Sequence, residues 1–82
     1  MKTLRRREAR KKEAIQDIII CSEKYRDGSR FIFVSSLADI AFDYDVSRET
    51  LRRYLREEGY KTRLNEIHSE YGNQEILDFE KK

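Results

Sequence analysis

One stretch of this chain carries its own start and stop: "SRETLRRYLREEG", Ser47 to Gly59. The Ser47 hydroxyl can accept a hydrogen bond from the backbone at Glu49 or Thr50 and so open a helix. Gly59 stands where a left-handed C-terminal cap is needed and closes it. The spacing therefore predicts a helix over Arg48 to Glu58. At 100° per residue, Leu51, Tyr54 and Leu55 fall on one side. Glu49, Arg52, Arg53 and Arg56 gather on the other, with Arg48 at its edge. A helix with one apolar stripe has to bury it against a neighbour.

The preceding residues offer such neighbours. Ala14, Ile15, Ile18, Ile19, Cys21 and Tyr25 recur at helical spacing and predict a first helix over Ala9 to Tyr25, stopped by the turn at Asp27-Gly28. Cys21 reads there as a small buried apolar group. "RFIFV", Arg30 to Val34, is dense in aromatic and β-branched side chains and reads as a short strand or an extended connector, with the strand over 31–34. Ser36 and Asp39 match a capping box, so a second helix is expected from Leu37, with Leu37, Ile40, Ala41 and Tyr44 facing inward. After Gly59, Leu64, Ile67 and Tyr71 keep helical spacing, and Ile76, Leu77 and Phe79 add one more apolar turn.

Composition excludes several classes. With 82 residues there is room for one small domain, and the lack of proline together with 41% charged residues favours a compact helical protein. The longest uncharged run, Phe31 to Ala38, is too short to cross a bilayer, and the amino terminus lacks the apolar stretch of a secretory signal. A cytoplasmic protein is expected. Cys21 is the single cysteine and His68 the single histidine, so no internal disulfide and no zinc site from paired thiolates can be built, and no metal or cofactor is expected. No glycine-rich phosphate loop or nucleophile–base pair is present, which argues against an enzyme and against a small-molecule substrate.

The net charge of +2 hides an uneven distribution. Residues 1 to 12 form a basic arm or helix extension in which Lys2, Arg5, Arg6, Arg7, Arg10, Lys11 and Lys12 oppose only Glu8. That local excess attracts polyanions through counterion release, and nucleic acid is the usual polyanion inside a cell.

The stretch "LADIAFDYDVSRETLRRYLR", residues 37–56, resembles the helix-turn-helix of bacterial repressors, site-specific recombinases and transposases. A small residue, Ala41 here, stands where the two helices of that family touch. Hydrophobic residues stand where Ile40, Tyr44, Val46, Leu51 and Tyr54 are found, and serine opens the recognition helix as Ser47 does. The family usually has glycine in the turn, whereas this chain has Asp45, a residue that tolerates the left-handed conformation better than most. Winged members add a strand between helices 1 and 2, which "RFIFV" can supply, and a hairpin after helix 3. Only Tyr60 to Leu64 could begin that hairpin, and no partner strand of clear pattern follows.

The fold expected is therefore all-α: a trihelical helix-turn-helix core over residues 13–82 with an additional C-terminal helix. The resemblance implies duplex DNA binding by a small transcriptional regulator or site-recognition factor, of phage or mobile-element type. It assigns base contacts to Ser47, Arg48, Glu49, Arg52, Arg53 and Arg56. Arg5, Arg6, Arg7, Arg10, Lys11 and Lys12, then Lys61 and Arg63, are the candidates for phosphate contacts, and a flexible arm would also reach a minor groove. Residues 64–79, acidic and partly apolar, are the expected contact for a second copy or a partner protein. The competing reading is an adaptor that docks on a transcription or replication protein through the same helices; RNA binding is a third.

Overall fold

The computed structural model describes residues 2–25, 28–70 and 72–81, with side chains over the same residues except 2–7 and 69. In chain order the elements are α1 (Lys2–Cys21), β1 (Glu23–Lys24), β2 (Arg30–Phe33), α2 (Val34–Asp43), α3 (Arg48–Glu57), β3 (Tyr60–Ser69) and β4 (Gly72–Lys81). The strands form one antiparallel sheet in the order β1-β2-β4-β3. This overturns the all-α expectation and its additional C-terminal helix.

The reason lies in the period of residues 60–81. Leu64 and Ile67 are three apart, which suits a helix, but in a strand an odd separation sends side chains to opposite faces. Leu64 pairs across the ladder with Leu77, and Thr62 with Phe79. Leu77 and Phe79 belong to the core shared with the helices, so even-numbered residues of β3 face the helices and Lys61, Arg63, Asn65 and Ile67 face away. At the hairpin end Ser69 pairs with Gly72, whose φ of 106° is a conformation that side chains strain to adopt. Tyr71, the third member of the expected helical stripe, lies outside the described residues.

The helices also shift at their ends. α1 begins at Lys2, so residues 2–12 continue it as a helix extension in place of a flexible arm, and it stops at Cys21, which is exposed. α2 starts three residues before Leu37 at Val34; its cap is Phe33, which makes no side-chain cap hydrogen bond, so the expected Ser36 capping box does not form. Strand β2 ends at Phe33 as a result. Asp45 takes the left-handed turn conformation, φ 55°, that the resemblance demanded of it.

One core serves all layers. Ala14, Ile15 and Ile18 from α1, Leu37, Ile40 and Ala41 from α2, and Leu51 and Leu55 from α3 meet Ile32, Leu77 and Phe79 from the sheet. Phe31 and Ile76 are buried as well, on the far side of the sheet, where Phe31 stacks edge-on against Tyr25 and Phe33. Ile76, Leu77 and Phe79, three of the apolar residues in the expected partner contact, are thus buried within the chain, whereas Leu64 is 48% exposed.

Candidate functional site

Helix α3 is held from three sides. Its start is fixed by Ser47, whose Oγ accepts from the Thr50 N–H at 3.1 Å and lies 2.9 Å from the Thr50 hydroxyl. Its inner face is fixed by Leu51 and Leu55, both fully buried, and the turn before it by the Val46 N–H donating to the Ala41 carbonyl at 2.9 Å. Its end is tethered to α1, where the Lys11 ammonium lies 2.9 Å from Glu57 and 3.3 Å from Glu58. The Lys11 hydrogen bond holds the Glu57 carboxyl below the usual carboxylate range, and Glu57 raises Lys11 in return.

The outward face presents the expected arginines, yet three of the four are paired. Arg52 Nη1 donates to Glu49 Oε2 at 3.0 Å, and Arg56 Nη2 stands 3.9 Å from Glu49 Oε1. Arg53 Nε is 3.7 Å from Glu57 Oε2. Arg48 is exposed and makes no hydrogen bond or ion pair among the described residues. The arginines also differ in depth: the Arg53 side chain is 60% exposed, whereas Arg52 is 24% exposed with its Nε buried and without a partner.

Ser47, Arg48, Glu49 and Arg52 come together along one groove of about 340 Å³ between α3 and the β3–β4 hairpin. Val34, Leu37 and Leu64 supply apolar surface there and Glu75 the opposite rim. Leu64 belongs to the helical stripe expected for residues 64–79 and Glu75 carries no signal of its own; the pairing of β3 with β4 is what brings both to this groove. The end of the hairpin is acidic, with Glu66, Glu70 and Glu75 exposed.

The expected phosphate contacts scatter. Arg10 donates to the Tyr44 carbonyl at 2.7 Å and so satisfies the end of α2, and Lys11 is engaged by Glu57 and Glu58. Lys12 is exposed. Lys61 and Arg63 are exposed on the sheet face turned from the helices, around a hollow of about 240 Å³ with Asp78 and Glu80, and are not brought to the α3 stripe. The side chains of Arg5, Arg6 and Arg7 lie outside the described residues.

Among the described residues no histidine, cysteine and carboxylate cluster could hold a metal ion, and no helix is long and apolar enough to cross a membrane. No family model, curated protein or solved structure matches the chain.

Proposed function

We propose that this chain binds duplex DNA in the cytoplasm through α3, as a small transcriptional regulator or site-recognition factor. The observation that carries the reading is a capped, rigidly buttressed helix whose exposed face is an arginine stripe. At about 1.5 Å per residue such a helix is about 15 Å long, and it fits a B-DNA major groove about 12 Å wide. Ser47, Arg48, Arg52, Arg53 and Arg56 face the bases, because a guanidinium can donate two parallel hydrogen bonds to guanine O6 and N7. Strand β2 between α1 and α2 and the hairpin after α3 are the two additions that the resemblance associates with winged members, and they support the same reading.

The basic first half of α1 supplies phosphate contacts, led by Lys12 and the charge of residues 2–7. The acidic hairpin end does not suit phosphate, so the wing-like element is assigned to a second copy or a partner protein. The adaptor reading keeps one specific support: the α3 arginines already pair with carboxylates, the groups that an acidic partner would offer.

Salt titration separates the two. Affinity for a duplex selected from a random pool should fall roughly tenfold or more between about 50 and 200 mM salt. Arg48→Ala should cost about 1–3 kcal/mol of discrimination at one base position and leave the melting temperature unchanged. An adaptor would show little duplex affinity at any salt.

A further inference from the structure

Resting on the DNA-binding reading, we infer that Glu49 is a positioning residue that sets specificity by competing with phosphate, and that it does not itself read a base. Both oxygens of its carboxylate are engaged, one by Arg52 at 3.0 Å and the other facing Arg56 at 3.9 Å. One acid at the start of α3 therefore serves the arginines three and seven residues later, which lie on the same helix face. Glu57 does the same at the other end, facing Arg53 with one oxygen and Lys11 with the other.

A phosphate that captures Arg52 or Arg56 has to displace a carboxylate already in place, so the net attraction of the stripe for any backbone is reduced whatever the sequence. A guanine edge is different. It is uncharged, so the Glu49 carboxylate does not repel it as it repels a phosphate, and its O6 and N7 still present a fork that a guanidinium can meet. Competition thus weakens non-specific binding more than the correct base contact. Were Glu49 to turn to cytosine N4, both arginines would lose their counter-charge at once and be left side by side, which works against base reading by this carboxylate.

The substitution Glu49→Gln keeps the size of the side chain and removes its charge. Glu66→Gln removes an equal charge from the exposed hairpin and is the control for net charge. Full-length wild type and both variants are titrated, at salt between about 50 and 200 mM, with a selected duplex and with a scrambled duplex of the same length. For Glu49→Gln, scrambled-duplex affinity should rise roughly five- to tenfold near 0.1 M salt. The slope of log affinity against log salt should steepen by about 1–2, as one or two freed arginines each gain a phosphate. The ratio of selected to scrambled affinity should drop, and retention on heparin should increase.

Loss of affinity for the selected duplex alone would make Glu49 a base reader and overturn the inference. So would a Glu49→Gln protein indistinguishable from Glu66→Gln while the wild type binds. A wild type with no salt-sensitive affinity for either duplex would contradict the DNA-binding reading itself, and this inference with it.

Discussion

Tyr44 joins α1 to the end of α2 through both of its polar ends. Its hydroxyl donates to Asp17 Oδ2 at 2.7 Å, and its carbonyl accepts from Arg10 at the same distance. Burial first, and then the Asp17 carboxylate, push the phenol up from 10.0 to about 12. The neutral phenol is therefore favoured in the folded chain, so this contribution to stability is complete below pH 10 and declines as pH rises toward 12. Tyr44→Phe should lower unfolding free energy by about 1 kcal/mol at neutral pH. The gap between variant and wild type should close in the pH 10–12 window, as read from urea melts; a constant gap would mean the phenol is not the group responsible. Arg10 and Lys11 teach a related point. In the sequence they are members of a cationic run, but their partners lie at Tyr44 and at Glu57 and Glu58, far along the chain. Arg52 sits deep enough that its stem covers the groove beside Leu37 and Leu64, so its removal costs packing as well as charge.

At the scale of elements, the hairpin decides the fold. Leu77 is fully buried in its centre, opposite Ile32 on β2 and Leu64 on β3. Leu77→Ala should destabilise the chain by about 2–5 kcal/mol, the cost of lost transfer plus an unfilled cavity, measured by chemical denaturation. A loss well under about 1 kcal/mol would place Leu77 outside the core. β3 is an edge strand of ten residues, and its Lys61, Arg63 and Glu66 keep that open ladder from recruiting further strands. Helix α3 was legible from the sequence because its signals are local: Ser47 caps it, Gly59 follows it at φ 91°, and Leu51 and Leu55 fix its buried face. Ala41 at the helix contact and Asp45 in the turn rested on the resemblance and not on a local signal; Ala41 is buried and Asp45 takes φ 55°. The hairpin was not legible, since β3 is identified only by pairing with β4. Its far half is polar on the helix side too, where Glu66 meets Glu75 and His68 meets Asn73, so no alternation of apolar residues announces it. The Glu49 pairs follow from three- and seven-residue spacings that were visible in the sequence, whereas which acceptor each arginine takes is a matter of rotamers.

The whole molecule measures 49 × 26 × 18 Å. α1 contributes to that length: it is about 30 Å long at 1.5 Å per residue, and its described side-chain bonds to the rest begin at Arg10. The chain carries a basic start to α1, an arginine stripe on α3, and an acidic hairpin end, a division of charge that a net value of +2 conceals. Under the proposed function, such separation would orient an approaching polyanion before any contact forms. In the proposed function that polyanion is duplex DNA, and α3 is the element that meets it. Titrating the labelled chain with a selected duplex and following backbone amide shifts by NMR tests it most directly. The largest changes should fall between Ser47 and Arg56, with smaller ones along the start of α1 and none around Lys61, Arg63, Asp78 and Glu80. Changes centred on that outer sheet face, with α3 silent, would contradict the account.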